Sequence, residues 1–385
     1  MKKIILITFG ILIVLGVLGV WVYLFTFGAP KNSAEVFGRF GIGNNANTDV
    51  VPVHVTEPIT IDVGKGTEEK QKLRQLTTRP VAGAVFVGVE IMYVEQGTGH
   101  IYTINLDTGE EKLINGTTIQ RSAEAVFSSD GTYVAITSYN TSGNSVVVEK
   151  ATMEGGEGEG FALPSGASEV AFGTDLKTVL YLLKAEDGAT GYSYNIPKGI
   201  HTTLFSIPLR DVRILWGTPT YVYTTPTATA IGFIYKIEGN SLAYVTGGGY
   251  GLMGIRFVDS IVTTKIADES VQSSIILTKG TGLTFSRPLI TEKCVVHIKT
   301  LFCAIPDTNL NPRFFPDDWY KGTVSYSDSF WRINESGDGE VLVSFFLESG
   351  REVDVSKIGI DDAGKRIYFI NKNDNTLWMF DMTEK

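Results

Sequence analysis

The densest grouping of contact-forming side chains in the chain lies between Asp307 and Ser329, DTNLNPRFFPDDWYKGTVSYSDS, where Arg313 precedes Phe314, Phe315, Asp317, Asp318, Trp319 and Tyr320. An arginine beside large aromatics is the composition of a contact hot spot, because each ring offers a large apolar area and the guanidinium adds directed hydrogen bonds. These seven residues form the candidate surface for a ligand or partner. The same composition has a second reading, in which the rings fold the segment down over its neighbours or plug a ring of sheets. Acid–base chemistry is a further possibility: glycoside hydrolysis needs two carboxyls roughly 5 to 9.5 Å apart in a cleft, and Asp317, Asp318 and Asp328 are the candidates.

Other groups able to do chemistry are sparse. Cys294 and Cys303 flank CVVHIKTLFC. With Lys299 and Thr300 at the turn, Ile298 faces Leu301 and the cysteines are diagonal neighbours on one face. A disulfide then needs a small register adjustment to bring the Cα atoms within about 7 Å. Outside the cytoplasm it forms; the alternative is two buried thiols. A zinc centre would need ligands beyond His297. His54, His100, His201 and His297 are scattered, and neither H-E-x-x-H nor G-x-S-x-G occurs. No catalytic residue, metal or cofactor is therefore expected. Glu154, Glu157 and Glu159 in MEGGEGEG, and Asn371 to Asn375 (NKNDN), read as polar turns rather than cation sites. The net charge of -9 and the lack of a basic run after Lys3 argue against nucleic acid as a partner.

The elements that position these groups repeat. Ala125 to Lys150, AVFSSDGTYVAITSYNTSGNSVVVEK, reads as a strand, the turn Ser128 to Gly131, a strand Tyr133 to Thr137, a polar loop Ser138 to Asn144 and a strand Ser145 to Lys150. Comparable inner-strand residues are Phe86, Phe127, Phe172, Leu215, Phe257, Ile298 and Ile360, at spacings of 41, 45, 43, 42, 41 and 62 residues. A period of about 40 to 45 residues carrying several short strands is that of propeller blades. The long last spacing contains the Asp307 to Ser329 insertion, between strands Leu301 to Ile305 and Phe330 to Ile333, on the face that carries the links between blades. The seventh unit stops after three strands, and Glu69 to Thr78, EKQKLRQLTT, is expected to complete it, leaving no exposed edge at the seam.

The recurring turn, Phe127-Ser128-Ser129-Asp130-Gly131, resembles the WD40-like repeats of TolB-type propellers over roughly Leu73 to Met382. The whole layout is similar to that of uncharacterised membrane-anchored propeller proteins of bacteria. The motif is degenerate at Leu215 and Phe257, and the resemblance implies a fold, not an activity.

Residues 4–27 carry no charge and follow Lys2 and Lys3. As a helix they span roughly 36 Å, enough for a bilayer core of about 30 Å. A cleavable signal peptide is the rival, but its apolar region is shorter and ends at small residues. The expected organisation is an all-β, seven-bladed β-propeller with an N-terminal transmembrane helix: an anchor at 1–27, a linker and extended segment at 28–68, and the propeller at 69–385. The lysines before the helix favour a cytoplasmic amino terminus and an extracytoplasmic propeller in a single-pass cell-membrane protein. The expected function is a tethered binding or scaffold module for a protein, peptide or cell-envelope ligand. The alternative is an enzyme acting on envelope glycans.

Overall fold

The computed structural model describes residues 71–141, 143–152, 160–276 and 282–383. The chain divides into two units, residues 1–68 and 69–385, and every described residue belongs to the second. The expected anchor, the linker and most of MEGGEGEG lie outside the described residues. Among the described residues, no helix is long and apolar enough to cross a membrane.

Antiparallel strands dominate. β1 (Leu73–Gln75) is followed by β2 to β5 (Val81–Val87, Glu90–Glu95, Ile101–Asn105, Glu111–Asn115) and β6 to β9 (Ser122–Phe127, Tyr133–Asn140, Gly143–Lys150, Phe161–Ala162). Then come β10 to β13 (Ser168–Phe172, Thr178–Lys184, Ala189–Asn195, Ile200–Ile207). A run of seven follows, β14 to β20 (Val212–Leu215, Tyr221–Thr224, Ile231–Glu238, Ser241–Phe257, Ser260–Ala267, Ser270–Ile276, Leu283–Thr284). Last are β21 to β24 (Cys294–His297, Thr300–Pro306, Asp328–Ile333, Gly339–Ser344) and β25 to β27 (Val355–Ile360, Arg366–Asn371, Leu377–Asp381). Two short helices, α1 (Asp317–Tyr320) and α2 (Phe345–Ser349), interrupt the strands. The sheets are 2-3-4-5, 6-7-8-9, 10-11-12-13, 14 through 20, 21-22-23-24 and 25-26-27-1. In the seven-stranded sheet, β17 runs without a break from the outer edge of β14–β16 to the start of β18–β20, so its two ends serve different neighbours.

Apolar residues on both faces of each sheet pack against the next sheet in sequence. Ala82, Val94, Phe127 and Ile136 join the first two full sheets, and Leu182, Phe205, Ile214 and Val222 join β10–β13 to β14–β17. The last cluster returns to the start: Ile370, Leu377 and Met379 pack on Phe86, Ile91 and Ile104. A sheet buried on both faces needs apolar side chains at alternate positions in both phases, which is why β3 (EIMYVE) and β27 (LWMFD) read as nearly unbroken apolar runs.

Two local devices recur. A bulge near the start of the first strand appears in β2, β6, β10 and β25, and again where β17 becomes a first strand. A bulge re-aims the following side chain and sharpens the twist. The turn after the first strand is held by an aspartate: Asp130 accepts from the Thr132 amide and Ser128 Oγ, Asp175 from the Lys177 and Thr178 amides, and Asp361 from the Lys365 and Arg366 amides. Gly131 has φ +72°, and a Cβ there would lie 2.6 Å from Val87 Cγ2, so both conformation and packing demand glycine.

Three sequence expectations are corrected. β7 and β8 extend to Asn140 and back from Gly143, because Ser138 and Ser145 pair across the ladder, their hydroxyls 2.9 Å apart, and do not form a loop. In the 294–303 hairpin the turn is Ile298-Lys299, with Ile298 at φ +54° and 79% exposed, so Ile298 is not an inner-strand residue. That register puts Cys294 directly opposite Cys303, with Cα atoms 4.1 Å apart, and the disulfide is formed. Asp328 belongs to β23, not to the insertion, and is fully buried.

Glu149 on β8 has a measurable consequence. It is 3% exposed, its Oε1 lacks a hydrogen-bond partner among the described residues, and burial pushes its pKa from 4.5 up to about 7. A carboxyl that holds its proton more tightly when folded stabilises the fold below pH 4.5 and loses that contribution as pH rises to about 7. Glu149→Gln should therefore be more stable than wild type by about 3 kcal/mol at pH 8. Urea unfolding at pH 4 and pH 8 checks this, with the gap expected to vanish at pH 4. A gap that does not depend on pH would rule out ionisation as its cause.

Candidate functional site

The insertion between β22 and β23 is folded down and fastened at several points. Phe315 (1% exposed) packs into the cluster of Tyr221, Tyr223, Leu252 and Met253. Gly251, at φ +61°, lets the backbone pass close by, since a Cβ would sit 2.9 Å from Pro316 Cδ. Asp317 accepts from Thr227 Oγ1 at 3.0 Å and the Ala228 amide at 2.9 Å. The Trp319 indole N–H donates to both Asp354 oxygens, at 3.0 and 3.1 Å, while its carbonyl accepts from Lys372 Nζ. Tyr320 OH donates to Glu292 at 2.7 Å, and Ser325 Oγ to Asn373 Oδ1 at 2.6 Å.

Beneath Trp319 lies a buried charge cluster. Lys293 Nζ donates to Asp328 (2.9 and 2.7 Å) and to Asp354 (2.5 Å), with all three side chains out of contact with solvent. Asp328 Oδ2 also accepts from the Val355 amide at 2.8 Å, and Asp354 Oδ2 from the Tyr326 amide at 3.2 Å. The ammonium also stands 5.3 Å from the Trp319 ring and 5.2 Å from that of Tyr326, within cation–π range. Burial and the neighbouring Asp354 hold Asp328 above the ordinary carboxylate range, against the pull of Lys293.

The seven insertion residues divide accordingly. Phe315 and Trp319 are taken up by the core, and Asp317 caps the 227–228 turn. Arg313, Phe314 (43% exposed) and Tyr320 (37%) reach the surface, and Asp318 is half-buried. Arg313 stacks 5.2 Å from the Phe314 ring. Of the three candidate acids, Asp317 and Asp328 are committed to hydrogen bonds that hold the fold.

A second set of polar groups was not singled out in the sequence. The first strands β6, β10, β14 and β25 carry Glu124, Glu169, Arg213 and Lys357 close to their starts. Arg213 Nε lies 3.1 Å from Glu169 Oε1, and its NH2 lies 3.9 Å from Glu292, which also receives the Tyr320 hydroxyl. Burial opposes the charge on Arg213, but Glu169 and Glu292 outweigh it and hold its pKa above the usual value. Burial and then Glu292 push the Tyr320 hydroxyl up strongly. Lys357 donates to the Ala82 carbonyl at 2.9 Å, and Tyr139 to Glu124 at 3.3 Å. Arg213 is enclosed by these groups, yet its side chain stays 40% exposed. The legible signal was a charge at the head of otherwise apolar runs: SAEAVF, SEVAF, VRIL and VSKIGI.

Consecutive sheets, five of four strands and one of seven, packed face on face with the last returning to the first, define a β-propeller, and the insertion sits on the end of the sheets that also carries the links between them. Solved structures agree. The chain is similar to the β-propeller domain of the Trilobed protease from Pyrococcus furiosus, reported with an open velcro topology (TM-score 0.52, 10% identity, 79% of this chain and 95% of that one). It is also similar to the acylaminoacyl peptidase of Pyrococcus horikoshii (TM-score 0.51, 10% identity, 76% of this chain), and it spans 49% of that peptidase's length. TolB from Acinetobacter baumannii is a third structural neighbour (TM-score 0.42, 12% identity, 64% of this chain and 61% of that one). No family model and no curated protein matches the sequence. At these identities the likeness is one of fold alone, that of a β-propeller.

Proposed function

We propose that the protein is a membrane-tethered, extracytoplasmic binding module, a seven-bladed propeller that presents its insertion face to a protein or peptide partner. In this reading β17 is shared by two blades, β1 completes the last, and residues 4–27 cross the bilayer. One observation carries the binding role: the insertion is fixed by bonds to four separate parts of the chain, at Thr227, Glu292, Asp354 and Lys372-Asn373, yet leaves Arg313, Phe314 and Tyr320 at the surface. A pre-organised aromatic and arginine surface loses little conformational entropy on binding. Placing a photocrosslinker at Phe314 in native membranes tests the reading. A discrete adduct is expected, lost in Arg313→Ala, with thermal unfolding unchanged within about 0.5 kcal/mol because both side chains are exposed. Equal labelling in the variant, or only diffuse labelling, defeats the proposal.

A further inference from the structure

We propose that a crevice at the seam between the last and first sheets, away from the insertion, binds a small oxyanion of the phosphate type. The crevice is ≈170 Å³. A water's share of the liquid is about 30 Å³, so the space admits a ligand of several heavy atoms.

Its walls follow from strand register. Arg74 on β1 is opposite Met379, and Arg366 on β26 is opposite Asp381. Directly opposed residues share a face, as do residues two apart along one strand, so Arg74, Met379, Asp381 and Arg366 all point the same way. Met379 packs with Leu106, and Arg74 donates to the Leu106 carbonyl at 2.6 Å, so that face looks across to the first sheet. The crevice lies beside the turns that follow β4 and β25. Those turns occupy the end of an antiparallel four-stranded unit opposite to the connection between its second and third strands, where the insertion sits.

The electrostatics favour an anion. Arg74 is half-buried and makes no ion pair among the described residues; its bond to the Leu106 carbonyl engages one of five N–H donors. Arg366 meets Asp381 only at 3.8 Å. Lys72 stands exposed at the mouth. Three cations face the carboxylates of Asp107 and Asp381. Burial and then the neighbouring Arg366 push Arg74 below its usual range, against the opposite pull of Asp381 and Asp107. A tetrahedral oxyanion can accept from two guanidiniums and an ammonium arriving from different directions, through charge-assisted bonds.

Two sources share this chemistry: free phosphate, and the phosphodiester of a lipid or envelope-polymer headgroup. The test uses the full-length chain in detergent. Thermal unfolding is measured in inorganic phosphate, in glycerophosphoglycerol and in chloride at equal ionic strength, alongside the ³¹P line width of each phosphate. A ligand that binds only the folded chain raises the midpoint, and the bound resonance broadens. Arg366→Gln is expected to weaken binding roughly tenfold or more, and Lys72→Gln, at the exposed mouth, to weaken it without touching packing. A response to the diester alone assigns the site to a headgroup, and a response to phosphate alone assigns it to the free ion. No shift beyond chloride with either, or an equal shift in both variants, overturns the proposal. The outcome is independent of the insertion face.

Discussion

Lys293→Met is expected to remove about 3 to 5 kcal/mol of stability, a large share of the roughly 5 to 15 kcal/mol that holds a folded domain together. The ammonium is the counter-charge reaching Asp328 and Asp354, which sit at 0% exposure and are otherwise held by amide donors and the Trp319 indole. Methionine fills a similar volume but leaves two carboxyls buried without it. Each must then take up a proton or pull in water. The sign of the pH dependence follows. Asp328 is already held above the ordinary carboxylate range by burial, and without the ammonium its folded-state pKa rises further above the unfolded one, so the deficit is smallest below about pH 4 and grows as pH rises toward neutrality. Chemical unfolding of wild type and variant at pH 4 and pH 7.5 measures it. A deficit of equal size at both values would mean that lost packing, not uncompensated charge, is responsible. Because Asp354 also receives Trp319, the same variant should loosen the insertion and raise hydrogen exchange across 317–326 before the sheets respond.

The repeat was legible because its punctuation is chemical. Asp130, Asp175 and Asp361 each bind the amides of the turn that follows the first strand, and that need leaves a visible residue in the sequence. Strand type was legible for the same reason, since a sheet covered on both faces must be apolar in both phases. Where the Ser-x-Asp-Gly turn is missing, as after Leu215 and Phe257, spacing alone guided the reading. Spacing could not show that β17 continues through what was expected to be a break between units. The tight 294–303 hairpin misled by one position: apolar character placed Ile298 in a strand, whereas the disulfide and the two-residue turn put it in the left-handed region and out in solvent.

The site was legible in composition but not in role. Arginine and aromatics predict contact without saying with what, and the structure spends Phe315 and Trp319 on the chain itself while leaving Arg313 and Phe314 outside. Lys293 gave no signal at all, because an isolated lysine before a strand ordinarily reads as solvated. Its partners lie 35 and 61 residues away. Only the fold brings those charges within 3 Å, so no local pattern could announce them.

Replacing residues 69–78 by a Gly/Ser stretch of equal length should have an effect at least as large, above about 5 kcal/mol, and should broaden the melting transition. β1 is three residues long, but much rests on it. Leu73 is 3% exposed in the cluster of Phe330, Phe369 and Phe380, and losing a buried leucine costs about 2 to 5 kcal/mol by itself. The Leu377 carbonyl accepts the Leu76 amide, and Thr77 Oγ1 accepts the Leu377 amide at 3.0 Å. The Asp381 amide donates to Lys72, Arg351 to Gln75 Oε1 at 2.7 Å, and Arg74 to Leu106 in the first sheet. Each such bond adds about 1 kcal/mol net, and more where a charge is involved. Without the segment the outer edge of β27 is open, and a free edge carrying Phe380 and Trp378 is a template for pairing with another chain. The variant is therefore expected to aggregate on heating, whereas Leu73→Ala, which keeps the backbone pairing, should lose stability but melt as one cooperative step. If the replaced chain melts like wild type, β1 contributes only contact, and the ends of the propeller are held together by the packing of Met379 and Leu377 on Phe86 and Ile91 alone.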